Sequence, residues 1–239
     1  MQTRWIDQAD DLRAFCQTLD EEVIAVDSES DHFHAYQARV CLIQVATRRT
    51  SALIDPLALE ESELGPLFEV FEDPEVVKIL HSARNDINEF DRDWGVGVEG
   101  LFDTQVAARF LGYRRNSLSW LVDEIVGETS SGNFQRFDWT KRPIPEQARA
   151  YAADDVIDLF PLYDRFVGEL DQTGWQGPFR QQCRYVAEET SHEPNEFDPE
   201  GWRAIDQGCG LEGRHEAAFR ALYQWRHQLC SRVNRAAVH

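Results

Sequence analysis

Apolar and polar positions along this chain change their spacing twice. Glu22–Ser28 (EVIAVDS) is apolar and β-branched, and Arg39–Ala46 (RVCLIQVA) and Ser51–Asp55 (SALID) repeat that character between turn-like or polar residues. Runs of this kind predict three strands joined as an antiparallel meander. From residue 62 onward the pattern alternates. Ser62–Phe71 reads as helix, Val76–Leu80 as strand and Ala83–Trp94 as helix; Leu101–Asp103 reads as a short strand, with helices at Thr104–Leu111 and Leu118–Val126. A long helix is predicted to open near Pro145, a residue favoured at the first helical turn, and to run to about Leu170. Strands first, then alternating β and α, give an α/β or α+β layer on a mixed sheet. After Gly174 helices follow with looser connections, and His192–Glu200 has the composition of a linker. Arg214–Arg235 is an Arg-rich amphipathic helix with Phe219, Leu222, Trp225 and Leu229 on one side. That apolar stripe reads as packing surface, and the Arg row opposite could touch phosphates.

Composition adds boundaries to this picture. A chain of 239 residues holds one large domain, or one domain with a small appendage. Its 42% hydrophobic content and 14 Phe suffice for a buried core. The first 20 residues are charged throughout and lack the apolar stretch of a signal peptide, and no apolar run reaches the roughly 18 residues of a membrane span. Five scattered cysteines (Cys16, Cys41, Cys183, Cys209, Cys230) without CxxC spacing read as free thiols in a reducing compartment. The expected location is cytoplasmic. The formal charge of −19 is concentrated in residues 1–170, which hold 33 acids against 16 bases, whereas residues 213–239 hold five Arg against Glu216 alone. Most of that acidity reads as a solubilising surface, and a few carboxylates as cation holders.

Three sites stand out among those carboxylates. In Asp27-Ser28-Glu29, strand alternation puts both acids on one face, roughly 7 Å apart at their bases, a spacing that suits one shared metal or two. A solvated strand end is the plainer reading of such a pair. Asp86 falls on a helix face with Ala83, Ile87, Phe90 and Trp94, while Asn85, Asn88 and Glu89 take the outside. A carboxylate on an apolar stripe is costly unless it is paired, hydrogen-bonded or metal-bound, and pairing with Arg84, Arg92 or a helix N-terminus would also satisfy it. At 100° per residue Asp155 shares a core-facing row with Ala148, Tyr151, Leu159, Leu162 and Phe166. Asp154 falls instead with Gln147, Asp158 and Arg165, a solvent row. Four inward carboxylates have an economical common explanation in divalent cations, which are hard and take oxygen ligands. The chain has no Ser/His/Asp ordering, GxGxxG, P-loop or HExxH, and His32-Phe33-His34 reads as a polar loop.

Over roughly residues 20–170 these segments resemble the DEDD exonucleases, and within them ribonuclease D and the exonucleases associated with the nuclear exosome. The resemblance is carried by VDSES (26–30), CLIQVAT (41–47), HSARNDINEF (81–90), LFDTQVAARFLG (101–112), FDWTKRPIP (137–145) and YAADDVIDLF (151–160). It implies an α/β, ribonuclease H-like fold with a mixed sheet of five to six strands flanked by helices. It also implies an exonuclease domain over residues 1–172 and a helical extension over 173–239, similar to the start of an HRDC domain. Asp27, Glu29, Asp86 and Asp155 would hold two Mg²⁺ or Mn²⁺ ions, and Tyr151, four residues before the last Asp, marks the tyrosine branch. The implied reaction is two-metal hydrolysis of RNA from a single-stranded 3′ end, releasing 5′-mononucleotides, in the maturation of tRNA precursors or other structured RNA. Tyr151, with an ordinary pKa near 10, is a poor base and would orient the water or the scissile phosphate. Ser28, Gln44 and Arg142 are the candidate substrate contacts, although Trp139 makes the DWTKRP stretch equally a packing motif. Asp103 reads as a structural hydrogen-bond partner near a helix start. Ser30 stands where bacterial ribonuclease D carries an aromatic residue. A monomer is expected. The alternatives are a DNA 3′→5′ exonuclease of the proofreading or Werner type, and an inactive nucleic-acid-binding module.

Overall fold

The meander forms the middle of a six-stranded mixed sheet. A computed structural model describes residues 3–19, 22–127, 134–189, 197–205 and 210–236. In chain order the sheet and its flanking helices are β1 (Thr3–Ile6), α1 (Ala9–Cys16), β2 (Val23–Ser30), β3 (Val40–Ala46), β4 (Ser51–Ile54), α2 (Glu61–Phe71), β5 (Val77–Leu80), α3 (Arg84–Trp94) and β6 (Leu101–Asp103). There follow α4 (Thr104–Phe110), α5 (Leu118–Ile125), α6 (Glu146–Ile157), α7 (Leu159–Thr173) and α8 (Gln176–Glu188). The strand order is β1-β4-β3-β2-β5-β6. β2, β3 and β4 pair antiparallel, whereas β5 and β6 run parallel to β2 and β1 runs parallel to β4. The sheet is therefore antiparallel in its middle and parallel at both ends, as the switch from strand runs to β/α alternation implies. β1 is a four-residue strand with only Ile6 buried, too short to stand out in the N-terminal pattern.

One departure from the expected elements has a clear cause. The single helix predicted from 145 to about 170 is two helices that meet at Asp158. Pro161 cannot donate to the carbonyl of Ile157, and its ring would strike that carbonyl in a continuous helix. As the third residue of a new helix it needs no donor. α8 packs against α4 and β6 and lies in the sheet-bearing unit, Met1–Ser30 with Val40–His192.

The other unit joins Asp31–Arg39 to Glu193–His239 and contains α9 (Trp202–Ile205) and α10 (Arg214–Val233). Here the expected apolar stripe is only partly used. Phe219 meets Trp202 edge-on, Tyr223 and His227 stack on Phe197, and His227 bonds the Tyr36 hydroxyl. Leu222 and Trp225 remain 60% and 58% exposed, so the inward row is Phe219, Tyr223 and His227. Of the Arg row, Arg220 is paired with Glu200 at 2.6 Å and Arg226 lies over the Tyr223 ring. Four cysteines are free thiols; Cys209 and most of the expected 192–200 linker lie outside the described residues. Among the described residues no helix is long and apolar enough to cross a membrane.

Candidate active site

β2 delivers the first two carboxylates where its ladder ends. Asp27 stands opposite Gln44 and Glu29 opposite Leu42 on β3, after which the register slips so that Ser30 faces Val40. This bulge ends regular pairing and turns the strand tip, a common device beside functional sites. Alternation along β2 sends Asp27 and Glu29 to the face covered by α6, and Ser28 and Ser30 towards α3.

α3 brings in Asp86. Its apolar row, Ala83, Ile87 and Phe90, is fully buried and draws Asp86 down to 9% exposure. The Ser28 hydroxyl donates to Asp86 Oδ1 at 2.6 Å, and one turn on the Ser30 hydroxyl donates to Glu89 Oε1 at 2.7 Å. Glu89 is therefore tied to the strand and does not take the solvent position expected for it. Asp103 anchors the turn before α3. Its carboxylate accepts from the backbone N–H groups of Ser82 and Ala83 ahead of α3, and from those of Gln105 and Val106 at the start of α4. The structural role expected of Asp103 is thus observed, doubled over two helices. Ser82 itself holds a left-handed φ of 61°.

α6 supplies Asp155 and, one turn before it, Tyr151, whose hydroxyl lies near enough to hold the Asp155 pKa down. Ala148, Ala152 and Ala153 of α6 pack with Leu42 and Leu53 on the sheet, and these small side chains let the helix sit low. Phe134 packs on the Tyr151 ring, with centroids 5.5 Å apart.

The charges act on one another. Burial raises the pKa of Asp27 well above its ordinary value, and Asp86, Asp155 and Glu29 push it further in that order. Glu29 is raised by burial, then by Asp155, Asp86 and Glu89. Burial raises both Asp86 and Asp155 to about 7, opposed by the Ser28 and Tyr151 hydroxyls respectively. Tyr151 is pushed far above its ordinary value by burial, then by the Asp155 and Glu29 charges, so it is a neutral phenol at physiological pH. Asp154 is the ordinary neighbour that helix phase suggested: only partly buried, its own pKa is raised by burial alone, although its charge adds to the rise at Asp155.

Among the described residues no three His, Cys, Asp or Glu side chains form a closed cage ready for a metal ion. The donor chemistry nonetheless fits hard divalent cations. Four oxygen-ligand side chains come from three separate segments, close enough that Asp86 and Asp155 repel charge on Asp27 and Glu29, and positive charge among them would relieve that repulsion.

Each of the three candidate substrate contacts is buried or bonded within the protein. Ser28 is spent on Asp86. Gln44 has no exposed surface. Arg142 grips Asp55 through two bonds of 2.6 and 2.7 Å and also donates to the carbonyls of Cys41, Trp139 and Lys141. The packing alternative for DWTKRP matches this geometry: Arg142 ties the 137–145 segment to β3 and β4. Sequence reasoning missed Ser30–Glu89 and the Phe134 ring, because each partner lies on a different element.

A profile of the 3′–5′ exonuclease family matches residues 3–171. Exosome complex exonuclease RRP6 of Saccharomyces cerevisiae is 32% identical over 242 residues, covering 95% of this chain and 33% of that protein. Ribonuclease D of Escherichia coli K12 is 30% identical over 231 residues, covering 95% of this chain and 60% of that one. The chain therefore spans a third to three fifths of these relatives. The catalytic core of RRP6 from Trypanosoma brucei superposes with a TM-score of 0.91 at 28% identity, covering 99% of this chain and 66% of that one. The E. coli ribonuclease D structure gives 0.77 at 29%, covering 99% of this chain and 63% of that one. With its six-stranded mixed sheet and its carboxylates at the tip of β2, the chain belongs to the 3′–5′ exonuclease family, in the group that resembles RRP6 and ribonuclease D.

Proposed function

We propose that this chain is a metal-dependent 3′→5′ exoribonuclease that removes 5′-mononucleotides from RNA 3′ ends. The observation that carries the reading is the set of four carboxylates, Asp27, Glu29, Asp86 and Asp155, all raised in pKa by burial, with Asp86 and Asp155 raising Asp27 and Glu29 further. These four would hold two Mg²⁺ or Mn²⁺ ions. When bound, such ions activate water and stabilise charge on a phosphodiester undergoing in-line displacement. The chain's own groups set the geometry around them. Ser28 occupies one oxygen of Asp86 and leaves the other available. Tyr151 keeps its proton beside Asp155, so its part is to orient the water or the scissile phosphate. Asp103 fixes the backbone ahead of Asp86.

RNA is favoured over DNA because the E. coli relative is described as an exoribonuclease involved in structured RNA processing. RNA with a single-stranded 3′ end, tRNA precursors included, is the substrate class that follows. The test is to offer 5′-labelled single-stranded RNA, matched DNA and a tRNA precursor with Mg²⁺, Mn²⁺ or EDTA. A ladder shortening from the 3′ end is expected, abolished by EDTA and by Asp155→Asn but not by Asp154→Asn. Activity that survives Asp155→Asn would refute the assignment, and cleavage of DNA alone would move the function to a DNA exonuclease.

A further inference from the structure

The sheet face under α6 holds two polar side chains without a hydrogen-bond partner. Gln44 on β3 is fully buried, and neither its Oε1 nor its Nε2 has a partner. Trp139 also has no exposed surface, and its Nε1–H makes no bond of acceptable distance and angle. Buried donors without acceptors cost free energy, and native proteins keep few of them.

Their neighbours suggest what these donors are for. Gln44 lies directly opposite Asp27, and residues opposite each other in an antiparallel pair share a face with their Cβ atoms about 5 Å apart. Its partner on the other side is Leu53, and its own strand places Leu42 and Ala46 beside it. Leu42 and Leu53 pack in one cluster with Ala148 and Ala152 of α6. Asp27 is therefore the charged group facing the Gln44 amide. Trp139 packs in the same cluster as Leu42, which stands opposite Glu29. The indole lies near enough to lower the pKa of Glu29, although its bond geometry falls short in this arrangement.

Resting on the metal-site reading above, we propose that Gln44 and Trp139 are positioning residues for the metal carboxylates. With metal bound, Gln44 Nε2 would donate to Asp27 and Trp139 Nε1 to Glu29; without it neither donor has a partner. A carboxylate bound through one oxygen keeps an acceptor on the other, and a buried donor there fixes its rotamer and so the metal affinity. Neither residue touches substrate. The amide and the indole would be wasted in an apolar layer, but they match a layer directly beneath ligands.

The experiment is Mn²⁺ binding to the full chain, followed by calorimetry and by the spin resonance signal of free Mn²⁺. Wild type is compared with Gln44→Leu, Gln44→Met and Trp139→Phe, with thermal midpoints taken in EDTA. Both Gln44 variants should bind Mn²⁺ about 10–100-fold more weakly. Their midpoints in EDTA should hold or rise, because an apolar side chain replaces an unsatisfied amide. Activity lost at low Mn²⁺ should return at high Mn²⁺. A merely structural Gln44 would lower the EDTA midpoint and leave Mn²⁺ affinity alone. Affinity within about twofold of wild type in both Gln44 variants overturns the proposal, and unchanged affinity in Trp139→Phe overturns its Trp139 half. Absence of Mn²⁺ binding by the wild type overturns the metal-site reading itself.

Discussion

Replacing Asp155 by Asn removes a carboxylate whose burial disfavours its charge and which raises the pKa of Asp27 and Glu29, so the variant should be inactive and yet more stable than the wild type without metal. Burial raises the Asp155 pKa from 3.8 to about 7. The folded state therefore holds the proton more tightly than the unfolded chain, and this stabilisation is complete below about pH 4 and lost as pH rises through about 7. Asparagine does not titrate. At 1.36 kcal/mol per pKa unit, the wild type gives up about 1.5 kcal/mol by pH 5 and about 4 kcal/mol by pH 8 from this group. The advantage of Asp155→Asn over the wild type should thus grow by about 2–3 kcal/mol between pH 5 and pH 8. Asp155 also raises the pKa values of Asp27 and Glu29, so its removal adds a change of the same sign. The assay is thermal and urea unfolding of both proteins in EDTA at the two pH values. For a chain of this size the growing gap corresponds to roughly 5–10 °C in midpoint. Adding Mg²⁺ at pH 8 should raise the wild-type midpoint more than that of the variant. An equal difference at pH 5 and pH 8, or a variant less stable at pH 8 than at pH 5 relative to wild type, would refute the burial-raised pKa of Asp155.

Other outcomes follow from the same geometry. Arg142→Ala strands the Asp55 carboxylate, which is 6% exposed, and should cost about 3 kcal/mol in urea unfolding; in an Asp55→Ala background it should cost much less, and an additive cycle would argue against the pairing. Tyr151→Phe should lower kcat by about 10²-fold or more. Because the phenol stays protonated, the alkaline limb of the pH–rate profile should not move, and a shifted limb would make Tyr151 the titrating base. Asp103→Ala removes the acceptor of four backbone N–H groups and should destabilise the fold by about 2–4 kcal/mol. Amide exchange should then rise first at Ser82, Ala83, Gln105 and Val106.

Periodicity alone revealed which side each carboxylate takes. Alternation placed Asp27 and Glu29 on one face of a strand, and helix phase set Asp86 on the buried row of α3 and separated Asp155 from Asp154. These are local properties, fixed by the 2.0- and 3.6-residue repeats of the backbone. The meander and the switch to β/α alternation were legible for the same reason, and they bound the sheet topology. Pro161 was also visible, and its effect on the helix follows from the missing N–H. Only the tertiary structure decided what each face meets. The partner of Ser28 lies 58 residues away, that of Ser30 lies 59 away and that of Arg142 lies 87 away, and no local repeat encodes such pairs. Gln44, a candidate substrate contact from the sequence, is fully buried. Its burial comes from the alanines of α6, more than 100 residues further along, which let the helix close over it. On α10, too, the repeat identified an apolar stripe but not its partner: Phe197 and Trp202 draw in Phe219, Tyr223 and His227, and Leu222 and Trp225 stay outside. A face is a property of the segment, whereas burial depends on what the rest of the chain brings to it.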